Sequence, residues 1–420
     1  MDVEETQEQL SRRDVVAALQ QKPHDAALWV TLGKIDYFAG AWADAIDAFQ
    51  QALARDPNNV MAWNGLGHLS TELGNPHDTV FYRRKALACD DGPTQQLNLA
   101  YDLFRTEAWQ EAWKLYDARH RPRPGKSSLV LTRPFTQPRW QGQALHGTLL
   151  IWQEQGIGEE IIFSTMLGDV LARTKHVIME CEARLLPLFQ RTWPEVTFVA
   201  HHNPPSPLCA QQGVEAQIPA GSLGQFFRQT TDDYKTTRAL APDDMLVQQL
   251  RQRYKRLAGD RKLLGISWRS RPFLKRGGSI HLTDPKSVPF SQLQNVLDHA
   301  GWLPISVQYG DVSSEMAAVR AMGVEMLFDR EIDPLTDLDS AAAQIAAMDA
   351  VVCVSNAAAH MAGAMHKNTH VLLPRGRACI HHWHVGRARS LWYPSAQLYR
   401  QAQHGDWQEP LEALVKNFGA

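Results

Sequence analysis

The chain has 420 residues, 44% of them hydrophobic, which is too long for one ordinary core and rich enough to pack two or three domains. Its 43 Lys and Arg against 45 Asp and Glu leave a formal charge of -2, which argues against nucleic acid or a membrane surface as a general partner. The five cysteines are scattered, odd in number and lack the spacing of a disulfide framework or zinc site, and no apolar run reaches the length of a membrane span. A cytoplasmic protein without a bound metal, a cofactor or a membrane span is expected.

The first pattern is a repeat. Trp29, Leu32, Gly33, Ala45, Phe49, Ala52 and Pro57 fit a helix-turn-helix unit, and Trp63, Leu66, Gly67 and Ala86 continue it 34 residues on. A third, weaker copy runs through Leu97, Tyr101, Ala108, Ala112 and Tyr116. The period and residue types resemble tetratricopeptide repeats, expected over 10–120. Each such unit needs a neighbour to bury its face, and the array suits docking of a protein partner, with Trp29 and Trp63 as partner-binding candidates. The same helices could instead only solubilise or dimerise the chain.

A Pro- and Arg-rich stretch, Ala118 to Ser128, ends the helical pattern. Beyond it, "TLLIW", "HVIMEC" and "VTFVA" read as strands, with helices near 159–173 and 182–192. In a second block "LLGISW", "LPISVQ", "VEMLF", "AVVCVS" and "HVLLP" read as strands, with helices near 289–300, 313–321, 338–347 and 356–365. A helix over 243–260 joins the blocks. Alternation of this kind predicts two Rossmann-like lobes, over 140–242 and 260–400, with a ligand in the cleft beyond the strand ends.

Three stretches carry the chemistry expected of that cleft. Gly156 and Gly158 in "QEQGIGEEIIF" bring backbone close to a ligand, and Glu159 follows as a base or a helix cap, with Glu160 and Glu154 as the other carboxylates. The run from Arg251 to Arg276 sets ten basic residues against Asp260, and Arg269 and Lys275 are expected to meet phosphate from a loop after a strand. In "VVCVSNAAAHMAGAM", Ser355, Asn356 and Ala357 open a helix of small residues whose free amides would face the cleft, and His360 follows one turn in. Three histidines lie in "RGRACIHHWH", but no carboxylate joins them at helical spacing, so they are not read as metal ligands.

From about Arg139 to Asp406 these motifs, with "SVQYGD" around Gln308 and "LWYPSAQLYRQ", resemble the glycosyltransferase-like domain that follows tetratricopeptide repeats in many bacterial proteins. That domain is similar to the heptosyltransferases and, more distantly, to the O-linked N-acetylglucosamine transferases. The resemblance implies a two-lobed GT-B fold. A nucleotide-sugar donor would lie mainly on the C-terminal lobe, contacted by Gly156, Gly158, Arg269, Lys275, Gln308, Ser355, Asn356, Ala357 and His360. It also implies sugar transfer to an acceptor, here a protein recruited by the repeats, with flagellin one candidate because the domain pairing resembles flagellin-modifying transferases. Glu159 stands where heptosyltransferase-like enzymes carry an Asp as candidate base, and Asn356 stands where many relatives carry an acid. That loss keeps open a non-catalytic scaffold with a degenerate sugar-nucleotide fold; a lipopolysaccharide-type transferase is a third reading, disfavoured because such enzymes do not need helical repeats.

Overall fold

Helix α1 (Arg12–Gln21) starts at Ser11, whose side chain exchanges capping bonds with Asp14. Three helix pairs follow: α2 (Ala26–Phe38) with α3 (Trp42–Arg55), α4 (Val60–Leu73) with α5 (Pro76–Cys89), and α6 (Pro93–Arg105) with α7 (Trp109–Tyr116). Asp25 accepts from the amides of Ala27 and Leu28 and Asn59 from that of Ala62, so the first helix of two pairs begins on a side-chain cap. This computed structural model describes residues 11–122, 128, 130, 132–235, 237–270 and 285–418. The chain divides into two compact units, Met1–Leu129 and Val130–Ala420.

In the first unit the small residues of the repeat make room for Phe49. A Cβ added at Gly33 would lie 2.8 Å from its ring, and one at Gly65 would lie 2.4 Å from it. One period later the equivalent position is Arg83, buried and held by the Asp102 carboxylate at 2.9 Å, the Asn64 side chain at 2.8 Å and His68 at 2.9 Å. The second repeat thus replaces an aromatic wedge by a paired charge. Removing either partner of such a pair would strand the other without water.

The second unit holds two parallel sheets. The first comprises β1 (Thr148–Trp152), β2 (His176–Cys181), β3 (Thr197–Ala200) and β4 (Val214–Pro219), in the order β3-β2-β1-β4. Helices α8 (Ile157–Ser164) and α9 (Leu167–Leu171) follow β1, α10 (Leu186–Thr192) follows β2, and the short α11 (Gly224–Phe227) follows β4. Helix α12 (Asp244–Ala258), capped by Asp243, leads to β5 (Lys262–Ser267). With β6 (Trp302–Ser306), β7 (Ala350–Val354), β8 (Thr369–Leu373) and β9 (Ala396–Arg400) it forms the order β6-β5-β7-β8-β9. The short α13 (Gln294–Leu297), α14 (Ser313–Met322), α15 (Leu338–Ala347), α16 (Ala357–Ala364) and α17 (Gln408–Phe418) complete this lobe. The architecture is helical repeats followed by a two-lobed pair of Rossmann-like sheets.

Four elements differ from the sequence expectation. The segment Val324–Phe328 is not a strand: Leu327 alone bridges Ile305, because Pro304 on this edge has no amide to extend the ladder. The helix expected over 159–173 is broken into α8 and α9. Strands β4 and β9, not expected from the sequence, are edge strands of their sheets.

Candidate active site

In each sheet the chain turns back past its first strand: β1 lies between β2 and β4, and β5 between β6 and β7. The crevice at such a reversal, beyond the strand ends, is where open parallel sheets receive ligands. Helix α8 leaves the first crevice and α16 the second, and the two helices pack on one another. A cavity of about 240 Å³ lies beside them, lined by Ile157 and Gly158 of α8, Ala357, Ala358 and Met361 of α16, and Ser270 after β5. On the N-terminal side of this cleft, Arg184 reaches across to the Leu335 carbonyl at 2.6 Å, and Arg191 pairs with Asp339 of α15.

The N-terminal lobe brings carboxyl groups. Gly156 is the N-cap of α8, and a Cβ added there would lie 3.3 Å from Oε2 of Glu159 three residues on, so the carboxylate sits over the amides at the helix start. Those amides and Lys286 favour its charged form, but burial outweighs them and, with the Glu154 carboxylate, raises its pKa above the usual carboxylate range. A helix N-terminus alone would have lowered it. Glu160, 1% exposed, accepts from the Gln153 side chain at 2.6 Å and the Glu182 amide at 2.8 Å, and burial pushes it up to about 8. Glu154 accepts from the Gly221 amide at 2.7 Å, tying the loop after β1 to the loop after β4.

Gly158 has a use beyond lining the cavity. A Cβ there would lie 2.7 Å from Cδ2 of His360 and 3.2 Å from Nε2, so this glycine lets α8 approach α16.

The C-terminal lobe brings amides, an imidazole and a guanidinium. Asn356 caps α16: its Oδ1 accepts from the amides of Ala358 and Ala359 at 3.1 and 3.3 Å, while its Nδ2 donates to Ser267 Oγ at 2.7 Å and the Arg269 carbonyl at 2.8 Å. The expectation of free amides along this helix start is therefore corrected: Asn356 itself takes two of them, and the Ala357 amide is left at the helix end. The same geometry suits an amide at this position, since a carboxylate oxygen would oppose the Arg269 carbonyl.

Gln308 gathers the end of β5. Its Oε1 accepts from Ser267 Oγ, Trp268 N and Arg269 N at 3.0, 2.9 and 2.8 Å. Arg269 is buried rather than exposed on a loop, with Glu315 at 3.3 Å and the Asp311 carbonyl at 2.6 Å. A phosphate reaching it would have to compete with that carboxylate. Lys275 lies outside the described residues. Ser355 Oγ accepts from the indole of Trp383 at 2.8 Å, and its carbonyl accepts from Ser270 Oγ at 3.3 Å.

His360 is buried against Trp383, with rings stacked at 5.2 Å and 19°, and its Nδ1 lies 3.2 Å from the Tyr393 hydroxyl. Burial drops its pKa to about 3, and His382 and His384 are likewise pushed to about 3, so all three are neutral near pH 7. Among the described residues no group of three or more His, Cys, Asp and Glu is placed to hold a metal. Gly156, Gly158, Glu159, Ser355, Asn356, Ala357 and His360 thus meet where α8 crosses α16, with Gln308 and Arg269 behind the end of β5.

Trp29 and Trp63 belong to the other unit. Their indoles donate to the carbonyls of Pro23 and Pro57 at 3.0 and 2.9 Å, the same contact one period apart, and both rings are half-buried. Sequence reasoning missed Tyr393, Trp383 and Lys286; the first two lay inside quoted stretches with nothing local to link them to His360.

Comparison with known proteins follows this division. Residues 48–80 match the tetratricopeptide repeat family. That match lies within the helical repeats of the first unit, and the second unit is a two-lobed α/β domain of parallel sheets. The chain is 29% identical over 418 residues to Protein FlbA of Caulobacter vibrioides, covering 93% of this chain and 67% of that protein. Solved structures similar to it include the glycosyl transferase family 9 protein from Veillonella parvula, at 10% identity, TM-score 0.48, 64% of this chain and 95% of that one. The E. coli ADP-heptose LPS heptosyltransferase II is similar at 14% identity, TM-score 0.43, 65% of this chain and 100% of that one.

Proposed function

We propose that the protein is a glycosyltransferase that moves a sugar from a nucleotide-activated donor to a polypeptide recruited by its repeats, with inversion and without a metal held by the protein. The observation that carries this reading is a half-buried carboxyl whose pKa is raised, Glu159, beside Gly158, which with the start of α16 lines a cavity between the two sheet crevices. In the step, an acceptor hydroxyl gives its proton to Glu159 as its oxygen bonds the anomeric carbon. The bond from that carbon to the phosphate oxygen breaks, and its electron pair leaves with the nucleotide.

A base at a helix end would be too weak if fully ionised at low pH, and burial corrects this. Charge on the departing phosphate would be met by the Ala357 amide, His360 and Lys286, whose positive charge already acts on both Glu159 and His360. Arg269 and Lys275 are proposed as further phosphate contacts. The five free cysteines support a reducing compartment, the cytoplasm, as the proposed site of the reaction. Flagellin is one acceptor consistent with a repeat array that recruits protein.

The test uses the purified full chain, a panel of nucleotide sugars and candidate acceptors including flagellin, read by intact mass. One sugar mass should be added to the acceptor, and a chain lacking residues 1–129 should bind the same donor yet modify the acceptor far more slowly. No mass gain with any pair, or an undiminished rate after truncation, would remove respectively the transfer and the recruiting role.

A further inference from the structure

The surroundings of His360 define more than a buried ring. Gly363, on the next turn of α16, admits Tyr393: a Cβ there would lie 2.5 Å from the tyrosine Cγ. Trp383 covers one face of the imidazole, and the indole is itself fixed through Ser355. Its Cδ2–Nε2 edge faces Gly158 of the opposite lobe. The ring therefore has little freedom to turn, and one choice remains, namely which nitrogen carries the hydrogen.

Partner accounting decides that choice. Among the described residues the Tyr393 hydroxyl has no hydrogen-bond partner except His360 Nδ1, and a buried phenol needs an acceptor for its hydrogen. Were Nδ1 the donor, the tyrosine hydrogen would be left without an acceptor, a cost the reverse arrangement avoids. We propose that Tyr393 is a positioning residue for sugar transfer: its hydroxyl donates to Nδ1, which places the ring hydrogen on Nε2 and presents it to an oxygen of the departing phosphate.

This rests on the glycosyltransferase reading above. The opposite tautomer would turn a lone pair toward that oxygen. Burial supports the assignment by keeping the imidazole neutral and the phenol protonated. No proton is transferred through the ring: His360 donates a hydrogen bond, and the leaving oxygen keeps the electron pair of the broken bond.

The test has two arms. Nitrogen-15 spectra of the histidine-labelled full chain near pH 7, without substrate and assigned by comparison with His360→Gln, should show hydrogen on Nε2 of His360. Hydrogen on Nδ1 overturns the proposal, and this outcome is available even if no Tyr393 variant folds. In the second arm, Tyr393→Phe keeps the ring against Gly363 and should cut kcat by about tenfold with a smaller change in donor KM, since the contact strengthens as charge develops.

In a His360→Gln background, where the amide hydrogen needs no tautomer selection, Tyr393→Phe should cost almost nothing further. An equal loss in both backgrounds would show a merely structural tyrosine and sink the positioning role. A chain with the expected tautomer that transfers from no nucleotide sugar would instead fail the glycosyltransferase reading, leaving the ring assignment in place.

Discussion

At the first sheet crevice the polar side chains are acids: Glu154, Glu159 and Glu160 follow β1 within seven residues of one another, Glu154 and Glu160 accept from the amides of Gly221 and Glu182, and Glu159 lies over the start of α8. At the second, Asn356 and Gln308 hold backbone atoms of the turn after β5, and His360 lies one helical turn beyond. The two lobes share strand direction and the reversal at the first strand. They divide the chemistry. Burial pushes Glu159 and Glu160 of one lobe up and the His360 imidazole of the other down, disfavouring the charged form of each. One side is suited to accept a proton and the other to donate hydrogen bonds.

The largest effect that should separate the lobes is on Glu159. Glu159→Gln keeps shape and removes the proton acceptor, so turnover should fall by roughly 10²- to 10⁴-fold. Steady-state kinetics with the donor identified by the mass assay checks this, and melting measured on the same preparation checks the cap. A fall in thermal midpoint in place of the kinetic loss would assign Glu159 to the helix start.

Asn356→Asp tests the other lobe. The substitution trades a donor to Ser267 and Arg269 for a second carboxylate oxygen, and the two lost bonds should cost about 1 to 3 kcal/mol. A lower denaturant midpoint with unchanged slope is the expected result. Equal or greater stability would mean that this position tolerates an acid and that the two bonds contribute little.

The smallest effect is one of pH. The folded pKa of Glu160, about 8, lies above its unfolded value, so the protonated form is favoured in the fold. Stability is then full at acid pH and is lost as pH rises from the unfolded carboxylate range through the folded value. Glu160→Gln has no such loss. Although it forfeits one acceptor, its thermal midpoint relative to wild type should shift upward between pH 5 and pH 9, and a flat difference would contradict the burial assigned to this group.

These contrasts were unequally legible in the sequence. Apolar runs gave away β1, β5, β7 and β8, which sit inside their sheets, whereas β4 and β9 at the edges carry Glu215, Gln217, Gln397 and Arg400, whose polarity hides the strand. The glycines, Glu159 and the start of α16 were legible because each is a local signal at a strand-to-helix turn. Burial of Arg269 was not, since Glu315 comes from a helix start 46 residues away. Tyr393 was hidden for the same reason, 33 residues from the imidazole it bonds. A third case is Arg83, which breaks the aromatic pattern of its repeat yet occupies the place of Phe49 through a charge pair that only the folded array supplies.

The division of labour across the cleft is tested most directly by calorimetric titration of nucleotide sugars into the wild-type chain, Glu159→Gln and His360→Ala. One donor should bind the wild type and bind Glu159→Gln with the same affinity, while His360→Ala weakens it by roughly tenfold or more, the worth of a hydrogen bond to a charged group. Absence of binding by every nucleotide sugar, or a donor affinity that depends on Glu159 and not on His360, would contradict the account.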